Sequence, residues 1–197
     1  MKLLNKLRQI NKKIMVCYGT SLTSGSGWVK MLGKELPGWC VINSGKGGMN
    51  STWGIDNFED RVLTYNPHIV LMEFAVNDAY TKEDFYRRSS FTESLANIRN
   101  MISRLRCEVY YMTMNPPLDM FIQGRNPAED RPYWRDYYKI HRRVAHEMDA
   151  KIINITSRWQ VLDTEDFLRY APDGLHPNEL ASREITIPTI LEALCLE

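Results

Sequence analysis

Ile14-Met15-Val16-Cys17-Tyr18-Gly19-Thr20-Ser21-Leu22-Thr23-Ser24-Gly25 is an apolar run that ends abruptly in a glycine and a hydroxyl-rich turn. A short, β-branched and aromatic run bounded by such a turn reads as a strand that is buried on both faces. Four further runs of this kind, at residues 39–43, 68–74, 108–113 and 151–155, read the same way. Between them lie segments of helical period near 27–36, 51–65, 82–105 and 132–149, followed by helices near 157–168 and 178–194. In the 132–149 segment Trp134, Tyr137, Tyr138, His141, Val144, Ala145 and Met148 form one stripe, which places His141 in the core. Pro188 should kink or divide the last helix. Strand–helix alternation throughout predicts the doubly wound α/β class, a five-stranded parallel sheet between two helical layers in a single domain spanning residues 1–197.

Composition narrows the function. The 197 residues carry a net charge of +1, without the basic stripe of a nucleic-acid binder. The pairs Arg87–Arg88 and Arg142–Arg143 are flanked by acids and read as solvated helix faces. The four cysteines form no CxxC pair and suit a reducing compartment better than a zinc site or a disulfide framework, and Cys17, Cys40 and Cys107, beside or within apolar runs, read as small core residues. Residues 1–13 form a basic, amphipathic segment whose apolar residues are interrupted. No signal peptide is recognised there and no stretch is long enough to span a membrane, so a cytoplasmic protein is expected.

In a sheet of this class, chemistry belongs in the loops after the strands. Gly19-Thr20-Ser21 lets the chain turn sharply and leaves a serine at the top of the sheet, ahead of a helix. Asn43-Ser44-Gly45-Lys46-Gly47-Gly48 brings backbone amides within reach of a ligand but lacks the Gly-Lys-Ser/Thr of a phosphate loop. Ala75-Val76-Asn77-Asp78 directly follows the apolar strand at 68–74. Asn77 offers an amide donor, and Asp78 suits a structural role in the loop. Asp173-Gly174-Leu175-His176 sets a carboxylate three residues before a histidine. The carboxylate can accept the Nδ1 proton and leave Nε2 to take a proton from a hydroxyl. The segment 115–131, with Pro116, Pro117, Met120, Phe121 and Arg125, is long for a strand-to-helix connection and reads as a partial lid. Trp28, Trp53 and Tyr80 lie near these blocks, either as packing residues or as platforms for a sugar.

In these four blocks the sequence resembles the SGNH hydrolase superfamily, the GDSL-type esterases and lipases. Gly19-Thr20-Ser21-Leu22 matches the Gly-Asp-Ser-Leu block, with Thr20 where the family has aspartate. Ala75-Val76-Asn77-Asp78 matches Gly-x-Asn-Asp, with Ala75 where glycine is usual, which narrows the backbone range beside Asn77. The resemblance implies a flavodoxin-like α/β/α sandwich and a serine esterase without cofactor or metal. Ser21 would be the nucleophile, His176 the base and Asp173 its orienting acid, with an oxyanion hole of Ser21, Gly48 and Asn77. Gly45 and Gly47 compete with Gly48 for the glycine's role. The implied substrates are small-acyl esters, among them carbohydrate O-acetyl esters. A lysophospholipase or thioesterase of the same fold, a non-catalytic carbohydrate-binding module and a phosphate- or nucleotide-binding protein are the alternatives.

Overall fold

The computed structural model describes residues 12–82 and 89–195. The segment 1–13 lies almost wholly outside the described residues, as do Arg87–Arg88 and the start of the helix expected at 82–105. Five strands, β1 (Lys13–Gly19), β2 (Trp39–Asn43), β3 (Ile69–Glu73), β4 (Glu108–Thr113) and β5 (Lys151–Asn154), form one sheet in the order β2-β1-β3-β4-β5. Every pairing is parallel. The order reverses between β1 and β3, so the carboxyl ends of these two strands flank the crevice where such sheets bind ligands.

Strand alternation sorts the side chains into two cores. Met15, Cys17, Leu71, Tyr110 and Met112 face one layer of helices, made by α2 (Trp28–Glu35), α8 (Thr156–Trp159), α9 (Thr164–Tyr170) and α11 (Ile187–Leu194). Val16, Tyr18, Val70, Met72 and Tyr111 face the other, made by α3 (Ser51–Asp56), α4 (Phe58–Arg61), α6 (Phe91–Ser103) and α7 (Trp134–Glu147). The remaining short helices, α1 (Ser21–Ser24), α5 (Ala75–Asp78) and α10 (Glu179–Ala181), begin in or beside the loops at the sheet's carboxyl edge. No described helix is long and apolar enough to cross a membrane.

Strand positions match the sequence reading within a residue or so, whereas three expected helices are subdivided. The 51–65 segment breaks at Asn57, whose side-chain amide donates to the Trp53 carbonyl at 2.9 Å, into α3, α4 and a 3-10 turn. The 157–168 segment is two helices, because Asp163 caps a new start at α9. The last helix passes through a π-helical turn at Ser182–Thr186 just before Pro188, whose missing N–H and ring disfavour a regular ladder. Trp28 and Trp53 are both buried and serve as core residues, which removes them as sugar platforms. Tyr80 stays partly exposed, with the Arg131 guanidinium over its ring.

Gly54 shows how closely the second core is packed. Its carbonyl accepts the Tyr18 hydroxyl at 2.7 Å, and an added Cβ would lie 2.8 Å from the Phe74 ring. Gly54→Ala should destabilise the protein by about 1–3 kcal/mol despite alanine's better helix propensity. A urea midpoint equal to that of the wild type would contradict this packing.

Candidate active site

The Ser21 turn is built on Gly19. A Cβ there would stand 2.3 Å from Glu73 Oε1 and 2.6 Å from the Glu73 carbonyl, so no larger residue fits between β1 and β3. Thr20 caps α1 by accepting the Leu22 N–H at 3.2 Å. Ser21 is therefore the first residue of α1, at the helix end whose N–H groups have no intrahelical acceptor. The Thr20 N–H donates to Glu73 Oε1 at 2.6 Å, and its hydroxyl lies 3.0 and 3.2 Å from the two carboxylate oxygens. The Thr23 hydroxyl adds a third donor at 2.7 Å. An aspartate at position 20 would set a second carboxylate against buried Glu73, and threonine supplies a hydroxyl proton instead.

On the other side of the sheet edge, Asp173 and His176 share one tight loop. His176 Nδ1 is 2.6 Å from Asp173 Oδ2, while Asp173 Oδ1 accepts the N–H groups of Leu175 and His176 at 3.0 and 2.7 Å. Gly174 turns the loop at φ +75°, a conformation glycine adopts without a Cβ penalty. His176 Nε2 meets Ser21 Oγ at 3.0 Å. The structure thus joins Ser21, His176 and Asp173 in one line of hydrogen bonds, with His176 exposed and Asp173 partly covered. Burial pushes the Asp173 carboxyl up, but the His176 ring and the two backbone donors outweigh it and hold the group well below the usual carboxylate range.

Of the three glycines of the loop, Gly45 is set apart by its contacts. Gly45 donates its N–H to Asn43 Oδ1 at 3.1 Å, and a Cβ on it would press on Ser24 and Thr23 at 2.9 Å. Its role is close packing against α1. Among the described residues the N–H groups of Ser21, Gly47 and Gly48 have no protein acceptor. Gly47 lies beside Ser21, and Gly48 takes φ +73° at the turn into α3. Asn77, on α5, is buried and donates one amide hydrogen to the Met49 carbonyl at 2.9 Å, leaving the second hydrogen uncommitted. Ala75, in place of glycine, leaves that anchor intact.

The sequence matches the model of the GDSL-like lipase/acylhydrolase family over residues 14–183. The chain belongs to this family. It is a carboxylic ester hydrolase with the SGNH fold. Its fold is shared with Axe2, an acetylxylan esterase from Geobacillus stearothermophilus, at 19% identity and a TM-score of 0.75 over 94% of this chain and 95% of that one. A lipase/acylhydrolase from Enterococcus faecalis matches at 21% identity and 0.75, covering 91% and 94%. The acetyl xylan esterase AlAXEase matches at 18% and 0.77, covering 92% and 99%. Comparison with curated protein sequences gives no significant match.

Sequence reasoning gave Asp78 a structural role and His141 a place in the core, but it did not join them in one buried network and did not assign buried Glu73. Asp78 accepts the Ser51 N–H at 2.7 Å and the Ser94 hydroxyl, and Ser94 Oγ lies 2.5 Å from His141 Nε2. His141 Nδ1 meets the Tyr111 hydroxyl, which accepts the Phe74 N–H at 3.2 Å. One proton arrangement satisfies this chain. Tyr111, kept protonated by burial, donates to Nδ1, Nε2–H donates to Ser94, and Ser94 donates to Asp78. His141 is the core residue its stripe predicts, and the network ties α3, which follows the glycine loop, to α5, which carries Asn77. For Glu73, a lone acid ending an apolar strand was the available signal.

Burial, only partly offset by the Thr23 and Thr20 hydrogen bonds and reinforced by the charge of Asp78, pushes the Glu73 carboxyl from 4.5 up to about 7. A folded value above the unfolded one means stability that is full below about pH 4.5 and lost as pH rises through about 7. The loss should approach roughly 3 kcal/mol. Glu73→Gln cannot ionise, so its urea stability relative to wild type should rise between about pH 5 and pH 8. A difference between the two proteins that stays constant with pH would contradict the titration.

Proposed function

We propose that the protein hydrolyses small-acyl esters, carbohydrate O-acetyl esters first among them, through an acyl-enzyme on Ser21. The observation that carries this reading is the 3.0 Å contact between Ser21 Oγ and His176 Nε2, with the other ring nitrogen on Asp173. His176 takes the Ser21 proton as Oγ attacks the ester carbonyl, and Asp173 holds the ring and stabilises the imidazolium. The carbonyl oxygen, now negative, is received by the N–H groups of Ser21 and Gly48 and by the free amide hydrogen of Asn77. His176 then gives its proton to the departing alcohol oxygen, leaving the acyl group on Ser21. Water, deprotonated by His176, attacks that ester, and Ser21 leaves with the proton and the acid is released. None of these steps calls for a metal or an organic cofactor.

Two of the fold neighbours are described as acetylxylan esterases, which favours a small acyl group on a sugar. The segment 115–131 packs against the Asp173–His176 loop. Hydrolysis of p-nitrophenyl acetate, longer p-nitrophenyl esters and acetylated xylan tests the reading. Acetate and xylan should be cleaved in preference to octanoate, and Ser21→Ala and His176→Ala should each abolish turnover. Asn77→Ala should lower kcat by about 10²–10³-fold. Preference for long acyl chains would move the protein to the lysophospholipase or thioesterase reading. Sugar binding without turnover would move it to a carbohydrate-binding module, and unchanged turnover by Ser21→Ala would overturn the nucleophile.

A further inference from the structure

The Asp173 carboxylate accepts four N–H donors, and three come from its own loop. The fourth is Arg125, 48 residues away in sequence, whose Nη2 lies 3.0 Å from Oδ2. That oxygen is the one that also accepts His176 Nδ1. We infer that Arg125 is a positioning residue for the Asp173–His176 pair, an inference that rests on the esterase reading of that pair.

The chain builds a dedicated turn to deliver this guanidinium. Ile122 and Arg125 exchange both backbone hydrogen bonds, Ile122 N to Arg125 O at 2.7 Å and Arg125 N to Ile122 O at 3.1 Å. Between them Gln123 and Gly124 both have positive φ, +50° and +83°, the geometry of a type I′ turn. A Cβ on Gly124 would meet nothing within 4 Å, so its glycine answers to backbone conformation and not to packing. Gln123 adopts the left-handed region without that freedom, a cost that the surrounding contacts must offset. Those contacts are with the acid–base loop itself. Leu118 N–H donates to the Gly174 carbonyl at 2.8 Å, and Asn115 Nδ2 donates to the Leu175 carbonyl at 2.7 Å. Pro127, Ile122 and Leu118 close over Gly174, where an added Cβ would meet them at 3.1–3.3 Å. The segment expected to act as a lid is in this respect a brace.

The Arg125–Asp173 pair itself adds little to stability. Its side chains are 36% and 25% exposed, and solvent screens a pair so placed. What it fixes is direction. Without Arg125 only the ring holds Oδ2, the carboxylate rotates more freely, and water takes the vacated site. The imidazolium formed when Ser21 gives up its proton is then less well oriented. Since Arg125 is assigned no contact with substrate, the loss falls on kcat and not on KM.

Arg125→Met and Arg125→Lys, with wild type alongside, test the inference by two readouts. The first is p-nitrophenyl acetate kinetics. Arg125→Met should lose about tenfold in kcat at near-constant KM, and Arg125→Lys should recover part of that, because an ammonium restores the charge without the fork. The second is the proton NMR resonance of His176 Nδ1–H, identified by its absence in His176→Gln. It should move or broaden in Arg125→Met while thermal unfolding stays within a few degrees of wild type. An unmoved resonance overturns the inference, and so does a raised KM with kcat unchanged, which would place Arg125 against substrate. Should the folded wild type cleave no ester, the esterase reading fails on that result, and the resonance alone decides whether Arg125 orients the pair. Should Arg125→Met not fold, Arg125→Gln replaces it in both measurements.

Discussion

A hydroxyl near the start of the chain and an imidazole near its end, 155 residues apart, meet at 3.0 Å, and both sit on loops that the parallel sheet brings to the same edge. Neither loop has the means to hold that distance alone. The Ser21 turn is fixed from below by Glu73 at the end of β3, through three donors from Thr20 and Thr23. The His176 loop is fixed from the side by the segment after β4, through Asn115, Leu118 and Arg125. The first support leaves the sheet at β3, which flanks the switch in strand order, and the second at β4, the next strand along.

Three carboxylates near this edge are held in different environments, and the environment determines the role of each. Asp173 is only partly covered and its donors keep it ionised, which suits the proposed role of stabilising a transient imidazolium. Glu73 is fully enclosed, and burial pushes it up to about 7 although the hydroxyl and amide donors of the turn above it pull the other way. Asp78 is equally buried but belongs to a chain of hydrogen bonds through Ser94, His141 and Tyr111 that spans α6, α7 and β4. Ser94, His141 and Asp78 resemble a second Ser–His–Asp set in composition alone. They are sealed from solvent, so they serve to hold α3 and α5 in register.

Much of this was legible in the sequence, and what was not has a common cause. Strand positions followed from runs such as 39–43 and 108–113, because a sheet covered on both faces demands uninterrupted apolar residues. The Asp173-Gly174-Leu175-His176 loop was legible because its geometry is local, three residues and a glycine. Long-range partners were not. Nothing near Glu73 in sequence indicates that Thr20 lies beside it, and Arg125 gives no sign of its distance from Asp173. Nor does the sequence tell Gly45 from Gly47 and Gly48, since only contact with Ser24 and Asn43 marks Gly45 as a packing residue. Helix boundaries failed where a side chain outcompeted the ladder, at Asn57 and Asp163.

The central claim is that Ser21 is a nucleophile activated by His176, and covalent labelling tests it without any assumption about substrate. The protein would be incubated with a small fluorophosphonate, digested and mapped by mass spectrometry, with His176→Ala as the control. The account predicts one phosphonyl group per chain, on Ser21, formed far more slowly in His176→Ala. Labelling at another serine, or equal rates in the two proteins, would contradict it.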